Sequence, residues 1–275
     1  MNRYALKMET RPLILISNDD GIDSPGLHAA VEALLPFAEL IIAAPAEQQT
    51  ASGRSLRALP EAVFESRIID INGKEIEGWC LNASPATTVR HALQCLCIER
   101  KPDMVVSGIN FGENIGTNVT ASGTVGAAIQ SAVWDYKSLA VSMEVPQAFH
   151  YEHGEVDWSQ AILILRKAVQ KFLAVDWPED VHILKIDIPD TADQNTPWVA
   201  CRQSREPGWW GFVPDAVPQS PAGSAMGKRG PRPGKSWKDN DDMGALLGGR
   251  NVTVTALSVD MSSRISLEEV GKLFN

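Results

Sequence analysis

Long apolar runs are missing from this chain. No stretch approaches the roughly 20 residues that a membrane-spanning helix needs, so no membrane association is expected. Basic residues are also in short supply. Lys and Arg total 25 against 34 Asp and Glu, a formal charge of −9. A phosphate-backbone groove needs clustered cations, so no stable nucleic-acid complex is expected. That balance still permits a small phosphorylated substrate. Cysteine is sparse as well. Cys80, Cys95, Cys97 and Cys201 lack the paired spacing of a zinc site, and they read as reduced thiols, mostly in the core. Residues 1–12 hold no apolar segment of the secretory kind, so the expected location is the cytoplasm. The Asn-x-Ser/Thr triplets at Asn82, Asn118 and Asn251 then carry no glycosylation meaning.

What is present suits a sizeable core. The 275 residues are 44% hydrophobic and 21% charged, enough for one large domain or one domain with an appendage. Leu13–Ser17 and Leu40–Ala44 are short continuous apolar runs, as in strands buried on both faces. Between them Ser24 and Pro25 open a helix with Leu27, Val31, Leu34 and Leu35 on one face. A strand–helix–strand unit of this length implies a right-handed parallel crossover.

The alternation continues. Asn72-Gly73 between Ile71 and Glu75 is a hairpin signal. Ser84-Pro85 opens a helix with Val89, Leu93 and Leu96 inward. Strands are expected at 104–107, 139–143 and 181–188, and helices from Ser122 (with Val125, Ile129 and Val133) and over 158–173. The expected fold is α/β and Rossmann-like, a mostly parallel sheet with helices on both faces. After Pro189 the pattern changes. Residues 207–249 are rich in Gly, Pro, Trp and charge with little periodicity, as in a long functional loop, an oligomerisation arm or a disordered segment. A strand at 251–259 and a short helix at 266–274 follow. The expected division is a catalytic core over 1–190 and an extended C-terminal oligomerisation arm over 191–275, part of it returning to the core.

Ligands in such sheets bind beyond the carboxyl ends of the strands, which directs attention to three loops. The first reads Ser17-Asn-Asp-Asp-Gly21. Adjacent carboxylates after a buried strand repel each other and lose solvation, and a hard divalent cation would compensate. The alternative is that Asp19 or Asp20 caps a turn. The second loop, 45–53, carries Thr50 and Ser52 and by itself reads as plain surface. The third, Gly108–Asn118, concentrates three glycines and three asparagines, which suit close backbone approach and neutral oxygen ligation. It runs into Ser122-Gly123-Thr124 at a helix start, a ready phosphate site, or simply a helix capped by Ser122. Two carboxylates, neutral oxygens and an anion cradle suit a metal that holds water and a phosphoryl oxygen together. Oxygen ligands favour Mg²⁺ or Mn²⁺ over zinc.

The residues Ser17-Asn-Asp-Asp-Gly-Ile-Asp-Ser-Pro-Gly26 resemble the opening motif of the SurE family. Ser107-Gly-Ile-Asn-Phe-Gly-Glu-Asn-Ile-Gly116 and Ser122-Gly-Thr-Val-Gly-Ala-Ala128 resemble its central motif. Weaker similarity reaches through 184–189 to 252–257. The resemblance implies a phosphatase of nucleoside 5′- and 3′-monophosphates that is a homodimer or homotetramer with one divalent ion per subunit. It places metal ligands at Asp19, Asp20 and Asn110, and a fourth at Thr50, where the family has serine. Asn114, Ser122, Gly123 and Thr124, with Asn18 beside them, match phosphate-side positions. Asp19 or Asp20 would assist as base. The chain departs from the family at Ala51, Asn118, Ala121 and Ser258. Two other classes stay open: a phosphatase with an aspartyl nucleophile at Asp19, and a nucleotide-binding module without turnover.

Other features read as structural. His150 and His153 are expected at the surface, and His28 and His91 in packing or solvent. Trp209-Trp210 suits a subunit interface or a base-stacking platform. Lys228, Arg229, Arg232 and Lys235 form a local basic patch, read as a solvated loop or an anion attractor.

Overall fold

The computed structural model describes residues 11–146, 149, 154–206, 211–213, 228–230, 238 and 240–274, with only the backbone of 211–213 and 228–230. His150, His153, Trp209, Trp210, Arg232 and Lys235, and the side chains of Lys228 and Arg229, lie outside the described residues.

The apolar run Leu13–Ser17 forms β1, and every one of its residues is buried. Its alternate side chains serve two layers, as strand geometry requires. Ile14 and Ile16 meet helices α1 (Pro25–Leu34) and α4 (Ser159–Leu173), while Leu15 meets α2 (Pro85–Cys95) and α3 (Gly123–Ala132). The expected helices on both faces are thus present. Each fully buried aliphatic side chain of this double layer contributes on the order of 1.5–3 kcal/mol.

The remaining strands are β2 (Glu39–Pro45), β3 (Glu65–Ile71), β4 (Lys74–Leu81), β5 (Met104–Phe111), β6 (Ser138–Met143), β7 (Ile183–Ile188), β8 (Trp198–Cys201), β9 (Gly211–Val213), β10 (Lys228–Gly230) and β11 (Val252–Leu257). Nine of them form one sheet in the order β3-β4-β2-β1-β5-β6-β7-β11-β8, and β9 pairs with β10 separately. From β4 to β7 neighbours run parallel. β3 is antiparallel to β4, and β11 is antiparallel to β7. The chain leaves β1 for β2 on one side and reaches β5 on the other. That reversal opens a crevice at the carboxyl ends of β1 and β5. Among the described residues no helix is long and apolar enough to cross a membrane.

Several local expectations are refined. The hairpin is tight, with Ile71 opposite Lys74 and left-handed backbone at Asn72 (φ 55°) and Gly73 (φ 82°), as a two-residue turn of the mirrored type demands. Ser24 and Ser84 sit at the N-cap positions of α1 and α2, but neither side chain caps its own helix. Ser24 Oγ is buried without a partner, and Ser84 Oγ donates to Ser55 O. β5 does not stop at Ser107. It runs on to Phe111 across a bulge, with Ser107 opposite Ala140 and Asn110 opposite Ser142. Of the four free thiols, Cys80 and Cys97 are buried, Cys201 is half-buried and Cys95 is exposed. Residues 240–249 are not plain loop: Asp241, Asp242, Met243 and Leu246 are buried, and the segment leads straight into β11.

Candidate active site

Asp19 and Asp20 leave β1 at the crevice and are nearly buried, at 5% and 6% exposure. Asp19 accepts a short hydrogen bond from the Thr124 hydroxyl at the start of α3. Asp20 accepts from Gln48 Nε2 at 3.0 Å and from the Phe111 N–H at 3.1 Å. Three loops therefore converge on two carboxylates. Burial, with the neighbouring Asp20 adding to it, pushes the Asp19 carboxyl up to about 7, and the Thr124 hydroxyl opposes the shift. Burial likewise pushes Asp20 up to about 6 against the Phe111 N–H and the Gln48 amide. No lysine or arginine among the described residues pairs with either carboxylate. Two acids share a buried pocket with neutral partners only.

That arrangement fits a cation. No group of three His, Cys, Asp or Glu that could hold a metal occurs among the described residues, so further ligands must be neutral oxygens. Two side chains could supply one. The Asn110 side chain donates from Nδ2 to Gly112 O at 2.7 Å, which spends its nitrogen and leaves its oxygen as an acceptor. It immediately precedes the Phe111 N–H that holds Asp20. The second is Ser52. A methyl group placed on Gly123 would stand 2.6 Å from both Asp19 Oδ2 and Ser52 Oγ. The Ser52 Oγ is buried with no hydrogen-bond partner. An unpartnered buried hydroxyl beside a buried carboxylate calls for a ligand.

The structure separates the remaining expected residues. Thr50 is exposed, unlike Ser52 two residues on. Asn18 is fully buried and tied to its own turn: its amide donates to Gly21 O at 3.0 Å, and its oxygen accepts from the Gly21 N–H at 3.2 Å. It braces the loop that carries the two carboxylates. Thr124 gives its hydroxyl to Asp19. Ser122 caps α3, its Oγ accepting from the Val125 N–H at 3.0 Å, which leaves its own proton free to donate. Asn114 Nδ2 donates to Ser142 Oγ at 2.7 Å, opposite Asn110 across the bulge. His28 bonds Ile22 O and His91 stacks on Phe64, so neither joins the site.

Sequence reasoning left Ser52 as part of a plain surface loop and passed over Gln48. Both lie in the second loop, whose polar composition matches any surface turn. The available signal was glycine. Gly126 admits the loop, since a methyl there would stand 2.2 Å from Gly53 O. That contact seats residues 52–54 against α3.

The fold and pocket together define an open α/β protein with a buried carboxylate pair, held by neutral partners, at the switch point of its sheet. The family model described as Survival protein SurE matches residues 14–208. The protein named 5′-nucleotidase SurE of Thermococcus kodakarensis is 33% identical over 261 residues, covering 94% of this chain and 97% of that protein. Its namesake from Methanosarcina barkeri is 31% identical over 273 residues, covering 95% and 97%. The crystal structure of the SurE protein from Aquifex aeolicus superposes with a TM-score of 0.75 at 26% identity, covering 96% of this chain and 100% of that one. The chain belongs to the SurE family.

Proposed function

We propose that this chain is a 5′-nucleotidase, hydrolysing nucleoside monophosphates to nucleoside and phosphate with a divalent cation, Mg²⁺ or Mn²⁺. The observation that carries the metal is the buried Asp19–Asp20 pair, which has only neutral partners and stands beside the unpartnered Ser52 Oγ. Asp19, Asp20 and the Asn110 side-chain oxygen would hold the ion, with one hydroxyl from the second loop. The family pattern puts that hydroxyl on Thr50, and the geometry favours Ser52. When bound, the ion supplies Lewis-acid polarisation of the phosphoryl group.

The chain's own groups do the rest. Thr124 holds Asp19 in one orientation, and the Phe111 N–H and Gln48 hold Asp20. Positioned in this way, either carboxylate can take a proton from the attacking water. The start of α3 offers Ser122 as a donor and the positive end of a helix to the phosphate. The family pattern adds Asn114 to that side. Because these contacts address the phosphoryl group, 3′-monophosphates belong to the same reading. A dimer or tetramer joined through the region after Pro189, a core over 1–190 and a cytoplasmic location complete it.

Phosphate release from 5′-AMP and 3′-AMP, with Mn²⁺ and with chelator, tests the activity. No release in either case would refute it and leave a binding module. Trapping a covalent aspartyl-phosphate would move Asp19 from ligand to nucleophile. Ser52→Ala is expected to raise the half-activating Mn²⁺ concentration about tenfold, the size of a lost bond to a charged partner, and Thr50→Ala to leave it nearly unchanged. The reverse order would return the ligand to Thr50.

A further inference from the structure

Lys185, Asp187 and Asp242 are wholly buried, far along the chain from the two carboxylates. Lys185 and Asp187 project from one face of β7, and Asp242 from the segment that leads into β11. The lysine pairs with Asp187 by a short contact and with Asp242 at 3.3 Å. The cluster holds two negative charges and one positive. Removing these charges from water costs several kcal/mol each, so such a cluster is weak evidence for stability. What it does is visible in the backbone it touches.

Asp187 accepts from the Asn114 N–H at 2.7 Å. Asp242 accepts from the Gly116 N–H at 3.2 Å and from the Ser204 N–H at 2.9 Å. Gln203 Nε2 donates to Gly116 O at 3.1 Å, and the Thr117 N–H donates to Glu206 O at 3.1 Å. The two flanking strips are themselves joined: the Arg202 N–H donates to Asn240 O at 3.1 Å, and the Asp242 N–H to Arg202 O at 2.9 Å. Ile115, between the two held amides, packs on Met243 and Leu246. Both polar groups of Gly116 and the backbone of Asn114 are thus set by residues outside their own loop.

We propose that Lys185, Asp187, Asp242 and Gln203 are positioning residues for the phosphate side of the site. They form a bracket through which the strips 202–206 and 240–246 fix the Asn114–Thr117 loop. This inference rests on the phosphatase reading for its kinetic consequence, but not for its mechanical one. Lys185 matches two anions so that each can turn an oxygen to the loop. The proposed metal ligands Asp19, Asp20, Asn110 and Ser52 receive none of these contacts.

The test uses the full chain with Asp242→Ala, Asp242→Asn and Gln203→Ala. Four quantities are read: kcat and KM for 5′-AMP, competitive inhibition by inorganic phosphate, the half-activating Mn²⁺ concentration, and amide hydrogen exchange over 112–117. Asp242→Ala should raise KM and the phosphate inhibition constant about tenfold, and Gln203→Ala about three- to fivefold, the sizes expected for charged and neutral hydrogen bonds. Half-activation by Mn²⁺ should move less than about twofold in both. Asp242→Asn keeps an acceptor oxygen for Gly116 and Ser204 and should recover most of the loss. Exchange over 112–117 should quicken in Asp242→Ala and Gln203→Ala.

Unchanged KM and phosphate inhibition in folded variants would overturn the proposal, as would an equal shift in Mn²⁺ activation. If Asp242→Ala does not fold, Gln203→Ala decides, since its half-buried side chain reaches the loop by one neutral bond. If the wild-type chain releases no phosphate, the phosphatase reading fails. Hydrogen exchange then still decides the bracket: faster exchange supports it, and unchanged exchange ends it.

Discussion

Replacing Asp19 with Asn should stabilise the metal-free protein while abolishing phosphate release. Burial and the adjacent Asp20 hold the Asp19 carboxyl near 7, against 3.8 for the free side chain. A carboxyl whose pKa is raised by folding contributes stability that is fully present below pH 3.8 and is lost as pH rises through 7. Each unit corresponds to about 1.36 kcal/mol. The raised pKa therefore costs the folded, metal-free state on the order of 4 kcal/mol at pH 8, where Asp19 is ionised, and about 2 kcal/mol at pH 5, where it must take up a proton on folding. Asparagine avoids that cost, and its carbonyl can still accept from Thr124. Its amide enters the space bordered by Ser52 Oγ. For a chain of this size each kcal/mol is worth roughly 2–4 °C. In chelator the variant should melt about 10 °C above wild type at pH 8, and by about half that margin at pH 5. Saturating Mn²⁺ should reverse the order, because the wild type gains binding energy that the variant lacks. The assay is thermal unfolding at the two pH values with and without metal. A variant melting at or below wild type in chelator at pH 8 would refute the electrostatic reasoning, as would a gap that does not narrow at pH 5.

Three further outcomes follow from named contacts. Gly123→Ala puts a methyl 2.6 Å from Asp19 Oδ2 and Ser52 Oγ, and should cut kcat/KM at least about a hundredfold, as expected when ligand groups are displaced by about 1 Å; near-normal turnover would mean the crevice is wider than described. Thr124→Val removes the hydroxyl from Asp19 and should raise the half-activating Mn²⁺ concentration about tenfold, measured by metal titration of activity. Asn72→Val forces a β-branched residue into left-handed backbone, at a cost on the order of 1–2 kcal/mol, and should lower the melting temperature without altering kinetics, since the hairpin lies at the far edge of the sheet.

Much of the fold could be read from periodicity. The buried runs at 13–17 and 40–44 and the two-residue turn at Asn72-Gly73 depend on local rules, and local rules were visible. The carboxylate pair was visible for the same reason, since two adjacent acids after a buried strand pose their problem within five residues. What escaped depends on distant partners. The extension of β5 through Gly108 to Phe111 is a pairing with β6, and its glycine and asparagine resemble a loop until that neighbour is present. Ser24 and Ser84 stood where caps stand, but their hydroxyls turn elsewhere. Thr124 was expected to face phosphate, and its hydroxyl donates to Asp19, far away in the sequence. Residues 241–246 looked like the end of a polar loop, because the lysine that pairs with Asp242 in the interior is Lys185, far earlier in the chain on β7.

The place of β11 has a consequence for biosynthesis. It enters the sheet between β7 and β8, although both are made before it. A growing chain therefore carries β7 with an open edge, and Lys185 with one counter-ion in place of two. The carboxylates of β1 can meet α3 early, while the loop over 114–117 waits for residues 240–257 to emerge. Ribosome-arrested chains ending before residue 240 should thus be cut by protease within 112–121 and protected around β1 and β2, and equal protection of both would show that the sheet does not need its late strand. The order of synthesis would then let the two carboxylates and the start of α3 come together first, with the loop over 114–117 completed only once residues 240–257 have emerged.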